Sequence, residues 1–138
     1  RFYNNLFVVP CKLAALDRTA LPCFAAGNVY AKGVPPLACE TNAFAPPDCE
    51  PDVRLAEGPD GWYLTLAQDP GWRAAAKCAP VTSASLGAAK VTGCTYERAD
   101  GSPLAIDADY FGKPRDKANP MPGPFETVCD GETAIKVW

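Results

Sequence analysis

Residues 105–126 carry Pro114, Pro120, Pro122 and Pro124, with Gly112 and Gly123 among them. Proline lacks a backbone N–H, fixes φ and pushes the residue before it away from helical geometry. The stretch can therefore be neither helix nor central strand. At its upstream end, Asp109-Tyr110-Phe111-Gly112 sets two aromatic rings between an Asp that can hydrogen-bond its own backbone and a Gly that tolerates positive φ. The expectation is a tight corner with both rings packed inward, then an extended run in which Arg115 pairs with Asp109, Asp116 or Glu126. Such a run suits a cap laid across the open end of a stack of strands, covering backbone groups that would otherwise recruit another chain.

With 138 residues, 48% of them hydrophobic, the chain is expected to form one domain or part of one. Residues 1–9 contain no Met and no basic-then-apolar leader, and they read as strand from the start. The expectation is a processed product or a portion of something longer. No apolar run approaches the roughly 20 residues that span a bilayer. The net charge is −3, with 13 basic residues scattered among 16 acidic ones. Nucleic-acid binding depends on neutralising phosphates, and no basic stripe exists to do it. Lys113, Arg115 and Lys117 are interrupted by Asp116 and read as a solvated face.

Seven cysteines stand at Cys11, Cys23, Cys39, Cys49, Cys78, Cys94 and Cys129, none in a C-x-x-C pair, and the chain has no histidine. That removes the common zinc patterns and thioredoxin-type chemistry, so neither metal site nor cofactor is expected. Dispersed cysteines in a Pro- and Gly-rich chain point to disulfides and a secreted or extracellular setting. About three internal bridges are expected, each stabilising by about 2–4 kcal/mol. The seventh cysteine is left for another segment, a partner chain or a free thiol.

Along the chain, residues 2–9 read as a strand, and residues 12–16 as a short helix in a loop closed by Cys11 and Cys23. Gly27-Asn28-Val29-Tyr30 opens a second apolar strand. Residues 32–51, with Pro35-Pro36, Pro46-Pro47, Cys39 and Cys49, read as loop without a regular element. Residues 52–55 and 62–66 flank Gly58-Pro59-Asp60-Gly61, the clearest hairpin signal present. A short helix is expected over residues 72–78, loop over 84–90, strands over 91–97 and 103–107, and a final strand over 133–138 after an Asp130-Gly131 turn.

Asp109, Gly112, Pro114 and Arg115, followed by Gly123, Pro124, Phe125 and Glu126, resemble the closing segment of secreted right-handed parallel β-helix repeat proteins, many of which act on polysaccharides. Asn4-Asn5 and Asn28, each before an apolar strand, resemble the asparagines that recur at coil corners in those proteins. There they stack on equivalents one coil away, and the spacing from Asn5 to Asn28 is close to one coil. The resemblance implies a mostly β fold: the terminal part of a right-handed parallel β-helix with disulfide-pinned loops. Residues 1–104 would form terminal coils, and residues 105–138 a cap and tail, with Asp109, Gly112, Pro114, Arg115, Phe125 and Glu126 as the structural elements of the cap.

Polysaccharide-cleaving enzymes of this kind use paired carboxylates, or a base beside a charge-neutralising group. Of Asp48, Glu50, Asp52, Glu57, Asp60, Asp69, Glu97, Asp100, Asp107 and Asp109, no pair matches a catalytic signature, and the resemblance places catalysis on upstream coils. Trp72, in a turn, and Trp62 are the aromatics assigned to sugar contact, against the alternative that both simply pack. The expected function is that of a C-terminal portion or subunit of an extracellular carbohydrate-active β-helix protein. Its partners would be a polysaccharide or glycan and an upstream β-helix segment or chain. A non-enzymatic structural or adhesive β-helix protein and a disulfide-rich secreted binding module are the alternatives.

Overall fold

The computed structural model describes residues 1–8, 12–127 and 134–138. The fold is mostly β with few helices. Three rungs stack at the N-terminal side. The first holds β1 (Phe2–Tyr3) and β2 (Leu6–Phe7), and the second β3 (Ala25–Ala26) and β4 (Val29–Tyr30). The third holds β5 (Glu40–Thr41) and a bridge at Phe44. All pairings are parallel: Phe2 opposes Ala25, which opposes Glu40, while Leu6 opposes Val29, which opposes Phe44. Strands of two residues are too short to hold themselves together, so what stacks between rungs must do so.

Two stacks supply that. Leu6, Val29 and Phe44 fall at one position of successive rungs and meet Ala31, Cys49, Trp72, Ala76, Cys78 and Met121 in the hydrophobic core. Side chains alternate along a strand, so Phe7 and Tyr30 form the other stack, their rings 5.0 Å apart and nearly parallel. Between the paired strands the chain turns a corner where Asn4, Gly27 and Asn42 all take positive φ (55°, 67° and 59°). These are residue types that enter the left-handed region most readily. A Cβ on Gly27 would stand 2.7 Å from Asn4 Oδ1, so the middle corner has no room for a side chain.

The corner also splits the single strand expected over residues 2–9 into β1 and β2. The segment 12–16 folds as part of a 3-10 helix, Leu13–Arg18. Residues 32–51, expected to hold no regular element, contain β5, because parallel pairing with β3 stabilises two residues that local sequence would leave in a loop.

The hairpin is present. β6 (Arg54–Gly58) and β7 (Gly61–Thr65) pair antiparallel around Pro59-Asp60, and β8 (Ala134–Lys136) joins β7 on its other side. The helix expected near residue 72 is α1 (Gly71–Ala76), closed by Lys77 in left-handed geometry. Residues 84–90 are not simply loop. A capping box, in which Thr82 and Ser85 each satisfy the other's backbone N–H, starts α2 (Ser83–Leu86). The strands expected over 91–97 and 103–107 are replaced by isolated bridges at Ala88–Thr95, Glu97–Pro103 and Thr82–Ala105, since no continuous neighbouring strand is there to pair with.

The proline-rich run packs onto the body. Gly123 N–H donates to Asn4 O at 2.8 Å, Gln68 Nε2 donates to Pro122 O, and Met121, Pro122 and Phe125 are buried. Its corner is the expected turn, with Gly112 at φ 76°. The rings, however, do not point inward: Tyr110 and Phe111 are about half exposed and pack edge-on and face-on against buried Phe125. A two-residue corner carries both rings on the outer side of the turn, and Phe125 fills the space beneath.

Candidate functional site

Among the described residues, two of the larger grooves lie against the rungs and the hairpin. The first, about 450 Å³, lies between the first rung (Tyr3, Leu6, Val8), the hairpin (Leu64, Leu66) and the proline-rich run. Its lining is apolar apart from Asn4, Asn5 and Arg115. Arg115 is fully occupied. Its guanidinium donates to the carbonyls of Ala108, Met121 and Gly123 at 2.8–3.2 Å, and Nη1 lies 3.6 Å from Glu126 Oε2.

The Arg115–Glu126 pair belongs to a nearly buried network. Glu126 Oε1 accepts from Arg73 Nη2 at 2.6 Å and from Asp116 N–H, while Oε2 accepts from Met121 N–H. The side chains of Arg115 and Glu126 are only 12% and 10% exposed. Burial works against a charged Asp109. Nonetheless the N–H groups of Glu126, Lys113 and Phe111, with the Arg115 charge, hold its carboxyl below the usual carboxylate range. Asp109, Arg115, Phe125 and Glu126 thus converge, with Gly112 and Pro114 setting the path between them. The sequence missed Arg73, because its partner is 53 residues away.

The second groove, about 460 Å³, runs between the 44–50 loop and residues 67–72. Its walls combine Phe44, Pro46, Pro47, Pro70 and the edge of Trp72 with three exposed carboxylates, Asp48, Glu50 and Asp69. The loop is held by Pro51 O accepting from Ala67 N–H and by Lys32 Nζ 3.4 Å from Glu50 Oε2. Asp69 turns the chain into α1 by accepting from Gly71 N–H at 2.7 Å. Burial, then the charges of Glu50 and Asp69, push the Cys49 thiol up, and all three residues line the groove. Apolar surface beside convergent acceptors suits a sugar, which offers C–H faces and hydroxyl donors.

The two tryptophans are placed differently. Trp72 is 6% exposed and sits in the core, so no ring face is open for stacking on a sugar. Trp62, 40% exposed on β7, lies outside both grooves.

Among the described cysteines, Cys23, Cys39, Cys49, Cys78 and Cys94 are all thiols; Cys11 and Cys129 lie outside the described residues. The expected loop closed by Cys11 and Cys23 involves a residue outside the described ones, and no disulfide links the described cysteines. Cys49 and Cys78 are buried as small apolar residues. Burial raises the Cys78 thiol to about 11. Cys94 is exposed, and Cys23 and Cys39 line one shallow cleft. Among the described residues, no group of His, Cys, Asp and Glu is arranged to hold a metal ion, and no helix is long and apolar enough to cross a membrane.

No protein-family model matches the chain, and no curated protein matches it in sequence. A solved structure described as XylC in complex with xylose is similar in fold, with a TM-score of 0.73 and 25% identity. The match covers 94% of this chain and 20% of that one, so this chain spans a fifth of the structure it resembles. The likeness suggests a β-helix-like fold; the sheets are short and do not by themselves define a parallel β-helix.

Proposed function

We propose that the chain is the terminal part of a right-handed parallel β-helix in an extracellular carbohydrate-active protein, with catalytic residues on coils outside this segment. The observation that carries the reading is the likeness, over 94% of the chain, to a structure described with xylose. The parallel rungs, with Asn5 and Asn28 hydrogen-bonded across 23 residues, support the coil arrangement. Residues 105–138 act as the cap and tail of the stack, pinned through Arg115 and Glu126. A disulfide-forming, extracellular life is consistent with the cysteine-rich composition.

Within this segment the acidic groove is the sugar-contacting surface. Asp48, Glu50 and Asp69 would accept hydrogen bonds from sugar hydroxyls, while Phe44, Pro46, Pro47 and Pro70 lie against the C–H faces. Calorimetric titration with xylose and short xylo-oligosaccharides tests this. Saturable binding is expected, weakened about 5-fold by Asp48→Asn or Glu50→Gln, since the amide keeps an acceptor oxygen and a charge-assisted hydrogen bond becomes a neutral one. Absence of saturable binding to any of these sugars would overturn the assignment of the groove. Release of reducing ends from polysaccharide by the native protein separates an enzyme from an adhesive or structural protein on the same coils.

A further inference from the structure

We infer that Cys23 and Cys39 are the pair that closes as a disulfide, strapping the 12–22 excursion onto the third rung. Cys23 ends the excursion two residues before β3, and Cys39 immediately precedes β5. The register Ala25–Glu40 sets Phe24 opposite Cys39, so Cys23 is one residue off the directly facing position. Adjacent paired strands lie about 4.8 Å apart, so residues that lead into neighbouring ends of β3 and β5 start near the Cα separation of about 5.5–6 Å that a disulfide bridges.

Cys23 stands before β3 begins, where strict side-chain alternation does not apply, and it lines the same shallow cleft as Cys39. The excursion is seated on the same rung by Asp17 Oδ1 accepting from Ala38 N–H at 3.0 Å. Leu16, Thr19, Leu21 and Pro22 face the two cysteines across a shallow cleft. Burial, and then the neighbouring Cys23 thiol, raise Cys39 to about 11, which slows attack by its own thiolate at neutral pH; closure of two thiols takes an oxidant that accepts two electrons.

The reaction is ordinary thiol–disulfide exchange. A thiolate of the pair attacks one sulfur of a small-molecule disulfide such as glutathione disulfide, releasing one glutathione thiolate, which takes up a proton. The remaining cysteine then attacks the mixed disulfide and releases the second. The Cys23–Cys39 bond forms, the glutathione S–S bond breaks, and the two electrons lost by the protein reduce the glutathione.

The test uses the native protein in a glutathione redox buffer at mildly alkaline pH, followed by alkylation of remaining thiols and peptide mapping. The expected result is a linked peptide joining Cys23 to Cys39 as the main oxidation product, absent from Cys23→Ser and from Cys39→Ser. Proteolytic cleavage within residues 12–22 should slow about tenfold on oxidation, because strapping raises the cost of local opening. Full alkylation of both cysteines in the folded protein would overturn the pairing, as would a principal bond from either one to Cys11 or any other cysteine. Unchanged cleavage in the bonded form would overturn the strap.

Discussion

Asn28 has no exposed surface, yet its side chain meets all its hydrogen-bonding needs. Oδ1 accepts from Asn5 N–H and Nδ2, and Nδ2 donates to Phe2 O and Glu40 Oε2. Tyr30 adds its hydroxyl to Glu40 at 2.6 Å, and burial followed by that bond raises its phenol well above the ordinary value. Asn28→Ala would orphan several buried groups at once, and about 2–3 kcal/mol of lost stability is expected in denaturant unfolding. A loss within experimental error would mean that the asparagine stack is not what joins the rungs. Glu126→Gln removes the charge shared by Arg73 and Arg115 while keeping the shape, with an expected cost of about 2–4 kcal/mol by the same measurement.

Asp109 adds a pH dependence. Its folded-state carboxyl titrates below the unfolded value of about 3.9, so its contribution is complete above that pH and is lost as pH falls through the folded-state value. Asp109→Asn should therefore destabilise at neutral pH, and the gap to the parent protein should close on acidification. Unfolding midpoints measured across that range would show it. At this scale the asparagines were legible, because they repeat with the coil. The pairing of Arg115 with Glu126 was among the expected ones, whereas Arg73 gives no local sign of its distant partner.

The hairpin of β6 and β7 was readable because a Pro-Asp turn between glycines announces it without tertiary help. Its third strand depends on one glycine: a Cβ on Gly61, whose φ is 146°, would stand 1.9 Å from Trp138 O. Gly61→Ala should displace β8 and cost about 2 kcal/mol, with hydrogen exchange of the Trp62 and Val137 amides, which bond across this pair, rising first. α2 went unread because four residues give no helical period, and only its Thr82–Ser85 cap marks it. Removing the cap with Thr82→Ala should cost about 1 kcal/mol. Residues 88–107 show the opposite failure. Val91, Thr92 and Thr95 favour strand intrinsically, but Val91 is 84% exposed and nothing lies alongside to pair with it.

At the scale of the whole molecule, the mostly β character and the long proline-rich closing run were legible, since proline's effects are local. The grooves were not, because the acidic one joins residues 44–50 to residues 67–72 only after the hairpin has folded back. The cysteine count did not show which cysteines are core residues: Cys49 and Cys78 are buried in the hydrophobic cluster, and the Cys78 thiol donates to Gly27 O.

The most direct test of the proposed sugar-contacting groove is an amide chemical-shift map of the native protein titrated with xylo-oligosaccharide. The account predicts saturable shifts clustered at residues 44–50 and 67–72, with the apolar groove at Leu6 and Leu64 unchanged. Shifts confined to the apolar groove, or none at saturating sugar, would contradict it.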